Sequence, residues 1–258
     1  MMFIFLFIIL ASFAAYRFHA LTFSGAVASV FAGGIIYYSF GLKGLVPLGL
    51  FFVSSSILSR WKKEQKQVLN NILEKTGERD AIQVFANSGA AVLASLLNLF
   101  DPNYLWYILL TISFASANAD TWASEIGSLS KKKPLFLFPP HFVERGTSGA
   151  VSLLGTFASF LGSLFVVFGT FVMTKSNENI FWFSVFFGFA GAFADTVLGC
   201  LLQAKYQCTI CKAETEKRIH CGNRTVQTKG VSWLNNDSVN FLSILIATIL
   251  AYFSLDKP

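Results

Sequence analysis

Residues 181–203 read FWFSVFFGFAGAFADTVLGCLLQ, an apolar run in which Asp195 is the only charged residue. A run of this length is enough for an α-helix to cross the hydrocarbon core of a membrane. A carboxylate at that depth costs about 2.5–3.5 kcal/mol on insertion scales, so Asp195 should face a cavity or a polar partner rather than lipid. Gly188, Gly191 and Gly199 follow the same helical spacing, which would let a neighbouring backbone or a ligand approach closely. A packing seam that holds one protonated aspartate is the alternative.

The composition of the whole chain also indicates a membrane protein. Of its 258 residues, 54% are hydrophobic and 13% are charged, and 29 are Phe. The charged share is about half that of a soluble domain, and one globular core cannot hide so much apolar surface. These values exclude an ordinary water-soluble enzyme, a disordered chain and a disulfide-rich secreted scaffold. The net charge of +6 does not indicate a nucleic-acid partner, because the cations lie in loops between apolar runs.

Apolar runs of this kind recur along the whole chain and predict an all-α, polytopic bundle of about eight transmembrane helices in a single domain, residues 1–258. The predicted spans are 2–16, 21–40, 45–59, 81–100, 104–124, 148–174, 180–204 and 237–255. Three long polar loops separate them, at 60–80, 125–147 and 205–236. The spans at 2–16 and 45–59 are short for a full crossing.

The distribution of cations predicts the orientation of the bundle. The odd-numbered connections carry 17 of the 20 Lys and Arg residues, so these loops should face the cytoplasm and both termini the outside. Residues 1–16 lack the basic segment of a secretory signal and are followed by Arg17, so we interpret them as a retained span. The predicted location is the cell membrane.

Acidic and amide side chains gather in the predicted cytoplasmic half of the bundle. Asn118, Asp120 and Glu125 lie at the end of span five, and Asn236 and Asp237 open span eight. Carboxylate and amide oxygens are the ligands that Mg²⁺ prefers. The predicted cation ligands are Asp120, Glu125, Asp195 and Asp237, with Asn118 and Asn236 assisting. The alternatives are an interfacial helix end whose polar groups reach water and, for Asp237, an ordinary N-cap.

A basic, glycine-containing segment precedes span six and could bind phosphate. Lys133 and Arg145 lead into Gly146, Thr147, Ser148 and Gly149, and free backbone N–H groups at a helix start attract anions. The alternative is a flexible capped loop with ordinary positive-inside lysines. The sequence contains no Walker-type phosphate loop.

The third long loop contains four soft metal ligands, Cys208, Cys211, His220 and Cys221. Their spacing predicts a structural zinc site, with free thiols as the alternative. A disulfide is not expected on the cytoplasmic side.

Four motifs resemble an integral-membrane family, domain of unknown function ninety-two, which includes a plastid phytyl-phosphate kinase. The motifs are NADTWASEIG at 118–127, ERGTSGAVSLLG at 144–155, GFAGAFADTVLG at 188–199 and NNDSVNF at 235–241. The resemblance implies a kinase that uses a nucleotide, CTP or ATP with CTP favoured, to convert an isoprenyl monophosphate to its diphosphate. It also implies that the Cys/His segment is stabilising rather than catalytic.

Phosphoryl transfer needs positioning and charge neutralisation, which Mg²⁺ held by carboxylates can supply. Three other functions remain open from the sequence: a transporter or flippase for a lipid phosphate or small ion, a cytidylyltransferase that makes a CDP-lipid, and a non-catalytic scaffold. The expected partners of the kinase are the lipid bilayer, a prenyl-phosphate lipid and a nucleotide.

Overall fold

The protein is a bundle of long helices with short strands in its loops. The computed structural model describes residues 2–62, 65, 72–75, 77–143, 147–174 and 177–255. The described helices are α1 (Met2–Arg17), α2 (Phe23–Phe40), α3 (Leu42–Arg60), α4 (Ala81–Phe100), α5 (Tyr104–Gly127), α6 (Leu153–Thr174), α7 (Glu178–Leu201) and α8 (Asn236–Leu255). The predicted helical membrane bundle is confirmed.

Helix α5 is the centre of the bundle. It packs against α3, α4, α6, α7 and α8, and every residue from Tyr107 to Ala119 is buried. Helix α1 packs on α2, which in turn packs on α3 and α4. Asn118 and Asp120, two of the predicted cation ligands, therefore belong to a helix with little access to lipid.

Six of the described helices are long and apolar enough to cross a membrane, namely α2, α3, α4, α6, α7 and α8. Of the other two, α1 has only 16 residues. Helix α5 has 24 residues, but its buried face carries Ser, Thr and Asn. Ser113 and Thr111 satisfy their hydroxyl groups by donating to backbone carbonyls one turn earlier. A central helix surrounded by other helices does not need the apolar surface that lipid contact requires.

Glycines on α7 mark its closest approach to α5. A side-chain carbon added at Gly188 would overlap Ser163 Oγ of α6 and lie 2.7 Å from Ala115 Cβ of α5, and one at Gly191 would overlap Ser116 Oγ of α5. Such small residues let the two backbones approach each other without a gap. This close contact brings the polar ends of α5 and α7 together.

The loops between residues 128 and 235 form short strands at one end of the bundle, which we call the polar end. The strands are β1 (Leu135–Phe136), β2 (His141–Phe142), β3 (Ala150–Val151), β4 (Lys205–Gln207), β5 (Glu214–Thr215), β6 (Ile219–His220), β7 (Asn223–Arg224) and β8 (Val226–Lys229). They pair antiparallel as β2-β1-β3, β5-β4-β8 and a β6-β7 hairpin. The sequence analysis predicted only polar loops here, because strands of two to four residues leave no periodic signal.

The start of helix α6 differs from the prediction. The helix begins at Leu153 rather than at residue 148, since Ser152 accepts a hydrogen bond from the Gly155 N–H at 3.0 Å. Residues 147–149 therefore form a turn that leads into β3, several residues before the helix N-terminus.

The contact between α5 and α7 can be tested with two glycine substitutions. Gly188→Ala should destabilise the solubilised protein by about 1–3 kcal/mol, because the new methyl group overpacks a rigid contact. Gly49→Ala is the matched control: nothing lies within 4 Å of a carbon added there, so helix propensity alone should leave stability unchanged or raise it by up to about 1 kcal/mol. Thermal unfolding in detergent measures both, and equal melting temperatures would contradict the packing account.

Candidate functional site: an acidic cavity at the polar end

A cavity of about 260 Å³ lies between α5, α6, α7 and the start of α8. Its wall also includes the loop segments 73–75 and 147–152, Gln83 of α4, Ser128, Pro134 and Glu216. We call it the acidic cavity because five carboxylates line it. They are Glu74, Asp120, Asp195, Glu216 and Asp237. Among the described lining residues, Lys75 is the only cation.

Asp120 and Asp195 are the deepest carboxylates of the cavity. Asp120 lies seven residues before the end of α5 and Asp195 six residues before the end of α7, which places both about 10 Å from the helix ends. Their side chains are close enough to share a hydrogen bond. The structure therefore brings together two acids that are 75 residues apart in the sequence.

Helix α8 supplies hydrogen-bond donors to Asp195. Ser243 Oγ donates to Asp195 Oδ2 at 3.3 Å. With its amide nitrogen turned toward Asp195, Asn240 donates to the same oxygen at 2.9 Å and to the Asn236 carbonyl at 3.1 Å. One oxygen of Asp195 is thus held by α8 while the carboxylate faces Asp120.

Asp237 lies at the mouth of the cavity, in the first turn of α8. Its side chain is 6% exposed, and Lys75 Nζ donates to its Oδ2 at 2.6 Å and to Asp80 Oδ2 at 2.8 Å. Burial by itself would lower the pKa of Lys75, but the hydrogen bonds to Asp237 and Asp80 outweigh it and raise the pKa above the ordinary value. Asn235, not Asp237, caps the helix by accepting from the Ser238 N–H at 3.1 Å.

The turn at Thr147, Ser148 and Gly149 also lines the cavity. Gly149 has a φ of +78°, and a side-chain carbon there would overlap the Cys200 backbone of α7. Glycine is therefore required both by the left-handed backbone and by the close contact. Lys205 Nζ donates to the Ser148 carbonyl at 3.0 Å and holds the turn against β4.

The other predicted site residues are placed elsewhere. Glu125 accepts from Ser59 Oγ of α3 at 2.6 Å and is not among the described residues that line the cavity. Asn118 is fully buried. Its Oδ1 accepts from Ser54 Oγ at 2.8 Å, and its Nδ2 donates to the Gly162 carbonyl at 2.8 Å.

The faces of α5 explain this division. Asn118 and Glu125 are seven residues apart and share one helix face, which meets α3 and α6, whereas Asp120 points toward α7.

The remaining predicted residues have different outcomes. Asn236 does line the cavity. Lys133 is exposed and does not line it. The predicted phosphate contacts Arg145 and Gly146 lie outside the described residues.

Three charged residues that line the cavity were not predicted as site residues, namely Glu74, Lys75 and Glu216. Glu216 is 8% exposed. Gln203 Nε2 donates to its Oε1 at 3.0 Å, and Ser148 Oγ donates to the same oxygen. Burial raises the pKa of Glu216 despite these hydrogen bonds. All three are charged residues in long polar loops, where the sequence gives no sign of the tertiary contacts that they make. Only the folded loops bring them to the cavity.

The donor set of the cavity suits a hard divalent cation. Carboxylate and hydroxyl oxygens are its usual ligands, and the acids lining the cavity exceed the cations. A second observation also indicates a ligand: Ser159 lines the cavity, is 3% exposed, and its Oγ has no hydrogen-bond partner among the described residues. A buried hydroxyl without a partner costs about 1–3 kcal/mol, and a bound polar group would remove that cost.

The cavity also extends to the apolar side of the bundle. Phe189, Phe193 and Thr156 line it between α6 and α7, and Phe193 is 57% exposed on the outer surface. The cavity thus joins an acidic region at the polar end to a surface that would face lipid. This combination suits an amphiphilic molecule.

The Cys/His cluster, Cys208, Cys211, His220 and Cys221, forms a second site. One ligand atom from each residue lies within 4.8 Å of all the others, and all four residues belong to the two hairpins β4-β5 and β6-β7 or their turns. Backbone hydrogen bonds from Cys211 and Ile210 lower the pKa of Cys208 to about 6, which favours the thiolate that binds metal. The cluster is compatible with a metal ion. Cys200 is buried in α7 and lies apart from it.

These features define a polytopic helical membrane protein with an acidic cavity at one end of the bundle. The chain belongs to the integral membrane protein family DUF92, whose sequence model matches residues 6–248. The resemblance of its four motifs to this family is thereby confirmed.

Several curated proteins are similar to this chain. Protein PGR of Arabidopsis thaliana is 28% identical over 266 residues, which cover 93% of this chain and 91% of that protein. An uncharacterized membrane protein of Methanocaldococcus jannaschii is 33% identical over 183 residues, which cover 70% and 74%. Protein VTE6, chloroplastic, of Arabidopsis thaliana is 25% identical over 236 residues, which cover 88% of this chain and 63% of that protein. No solved structure matches.

The ion pair at the cavity mouth can be measured with a double-mutant cycle. Lys75→Met should cost about 2 kcal/mol because it leaves the buried Asp237 without its cation. Adding Asp237→Asn should recover about 1 kcal/mol or more of that loss. Asp80→Asn is the control partner: its side chain is 31% exposed, so its coupling to Lys75 should be smaller. Equal coupling energies for Asp80 and Asp237 would contradict the assigned burial.

The unpartnered hydroxyl gives a separate prediction. Ser159→Ala should leave the unfolding free energy unchanged or raise it, because no hydrogen bond is lost. Ser163→Ala on the same helix should lower it by about 1 kcal/mol, since Ser163 Oγ donates to the Val185 carbonyl at 2.8 Å. A loss of stability in Ser159→Ala as large as that in Ser163→Ala would show that Ser159 has a partner in the protein.

Proposed function

We propose that this protein is a membrane-embedded kinase that transfers a phosphoryl group from a nucleotide, CTP in preference to ATP, to an isoprenyl monophosphate. The observation that carries the proposal is the meeting of Asp120, Asp195 and Asp237 in one cavity that also reaches the apolar surface between α6 and α7. Membership of the DUF92 family supports it, because the resemblance to that family implies a prenyl-phosphate kinase. Similarity to Protein VTE6, chloroplastic, along most of the chain is consistent with this membership.

Each group in the cavity has a separate proposed role. Asp120, Asp195 and Asp237 would hold one or two Mg²⁺ ions, with the Asn236 side chain assisting. Bound Mg²⁺ would neutralise the negative charge that keeps two phosphate groups apart. Glu125 and Asn118 are not part of this proposed site, because their side chains contact α3 and α6.

The reaction requires no dedicated base. An anionic oxygen of the prenyl monophosphate attacks the terminal phosphorus of the nucleotide, and the bond from that phosphorus to the bridging oxygen breaks. The products are a prenyl diphosphate and a nucleoside diphosphate. A phosphate oxygen is already ionised at neutral pH, which agrees with a cavity lined by carboxylates and hydroxyls rather than by histidine.

The phosphates would be held from the loop side of the cavity. The turn Thr147–Gly149 lines the cavity and would hold phosphate through its hydroxyl and backbone N–H groups. Gly146, Arg145 and Lys133 precede it in the chain and remain proposed phosphate contacts. Lys75 pairs with Asp237 and would exchange that carboxylate for a phosphate. The Ser159 hydroxyl, deeper in the cavity, would donate to a bound phosphate oxygen.

The lipid tail would lie between α6 and α7, along Phe189 and Phe193. The polar end would face the cytoplasm, where nucleotide is available, as the excess of Lys and Arg in its loops predicts. The membrane would then be the cell membrane, and zinc would fill the Cys/His cluster as a structural ion.

The proposal is tested by supplying the purified full chain in lipid nanodiscs with Mg²⁺, CTP or ATP, and prenyl monophosphates of several chain lengths. We expect a prenyl diphosphate together with the nucleoside diphosphate. Asp120→Asn and Asp195→Asn should each reduce turnover by at least about 100-fold. Asp101→Asn, at the exposed opposite end of the bundle, should not change it.

The products also discriminate among the other functions. Release of pyrophosphate with formation of a CDP-lipid would show a cytidylyltransferase that uses the same carboxylates. Movement of a prenyl monophosphate across sealed vesicles without nucleotide would favour a transporter or flippase. Absence of every product from folded protein would overturn the kinase.

A further inference from the structure

Glu216 connects the two candidate sites along the chain. It lies five residues after Cys211 and four residues before His220, between the two halves of the Cys/His cluster. Its side chain nevertheless lines the acidic cavity, close enough to Asp195 for the two charges to interact. A single short segment therefore carries ligands of the Cys/His cluster at its ends and a carboxylate of the cavity near its middle.

Hydrogen bonds attach this segment to three other parts of the polar end. The Glu216 N–H donates to the Ile72 carbonyl at 2.8 Å, and Thr215 Oγ1 donates to the same carbonyl at 3.0 Å. The Glu216 carboxylate accepts from Gln203, which follows α7, and from Ser148 in the turn before β3. Glu216 thus joins the loop before α4, the end of α7 and the 147–149 turn.

The Cys/His cluster fixes the segment from both sides. The β4-β5 hairpin turns at Cys208–Ala213, where the Cys208 N–H donates to the Ala213 carbonyl at 3.0 Å. The β6-β7 hairpin turns at Cys221 and Gly222, with φ values of 51° and 76°, as a type I′ turn requires. A metal ion bound to both turns would cross-link the hairpins and reduce the freedom of the residues between them.

We propose that a zinc ion in the Cys/His cluster holds Glu216 in the acidic cavity, where Glu216 is a further carboxylate ligand for the divalent cation. The occupancy of the zinc site then sets the affinity of the cavity for its cation. The inference rests on the proposed function in one respect, namely that the cavity binds a divalent cation. The five carboxylates that line the cavity support that premise, and the unpartnered Ser159 hydroxyl beside them independently indicates that a polar ligand binds there.

The physical reason is the cost of burying a carboxylate. Glu216 is almost fully buried in the cavity wall, and a buried carboxylate costs free energy unless it is paired or hydrogen-bonded. Without a cross-link between the hairpins, the segment gains freedom if Glu216 moves out to water. Bound zinc would disfavour the conformation in which Glu216 is in water, and the cavity cation would then have a preorganised ligand.

The test compares four forms of the full chain in nanodiscs: the wild type, Glu216→Gln, the double variant Cys211→Ser/Cys221→Ser, and the combination of all three changes. Zinc is quantified by mass spectrometry, and Mn²⁺ affinity by electron paramagnetic resonance. We expect about one zinc ion per wild-type chain and none in the cysteine variant. Glu216→Gln and the cysteine variant should each weaken Mn²⁺ binding about tenfold, and the combination should be no weaker than either, since both act through the same ligand.

Glu214→Gln is the matched control, because Glu214 is exposed on the same segment and should keep wild-type Mn²⁺ affinity. The inference would be overturned if the zinc-free variant or Glu216→Gln kept the wild-type affinity for Mn²⁺. It would also be overturned if the combined variant lost the sum of the two binding free energies that the separate variants lose. Glu216→Gln keeps all four cluster ligands, so it tests the ligand role even if the cysteine variant fails to fold.

Hydrogen exchange separates this inference from the proposed function. The Glu216 amide should exchange faster in the zinc-free variant, because its bond to Ile72 depends on the cross-linked hairpins. If the Glu216 amide exchanged at the same rate in the zinc-free variant and the wild type, the claim that zinc holds this segment in place would be overturned, whether or not Mn²⁺ binds. Absence of kinase products alongside the expected Mn²⁺ and exchange results would count against the kinase alone.

Discussion

Asp120 and Asp195 face each other at the contact between α5 and α7. Both are only half-buried, because they line the acidic cavity, and the cost of holding two carboxylates side by side inside the bundle constrains the whole polar end. Two charges in a low-dielectric interior are tolerated only with a proton, a cation or several hydrogen-bond donors. The protein supplies donors to Asp195 from α8. Glycines on α7 allow α5 to approach closely enough for the acids to meet. A hard cation between them would explain why so costly an arrangement is built into the centre of the bundle.

The loops at the polar end add further charged residues to the cavity that contains Asp120 and Asp195. Lys75 compensates Asp237 at the mouth of the cavity, and Lys205 holds the 147–149 turn. Glu216 brings the Cys/His segment into the same network. The short strands of these loops are therefore parts of the cavity wall, and the helices provide the rigid frame on which they are placed.

The sequence predicted the helices well because long apolar runs are a strong signal. Helix α7 extends over Glu178–Leu201 where 180–204 was predicted, and α4 extends over Ala81–Phe100 where 81–100 was predicted. The intramembrane position of Asp195 also followed from its apolar surroundings. The start of α6 was misplaced because Thr147–Gly149 resembles a helix N-terminus in sequence but forms a turn before β3.

The candidate site was only partly predictable, for two physical reasons. Helical periodicity shows which residues of α5 share a face, but it does not show which neighbour that face meets, so Glu125 and Asp120 could not be assigned to different contacts. Lys75 and Glu216 depend on tertiary contacts of loops without local periodicity. A charged residue in a polar loop is usually exposed, and nothing in the sequence marks Glu216 as buried or Lys75 as the partner of Asp237.

The most direct test of the account is the Mn²⁺ affinity of Asp120→Asn, Asp195→Asn and the double variant, measured on folded protein with Asp101→Asn as the control. If one cation bridges α5 and α7, each single substitution weakens binding about 10- to 100-fold and the double variant loses little more. Unchanged affinity in either single variant, or independent losses that multiply in the double variant, would show that the two aspartates do not share a cation.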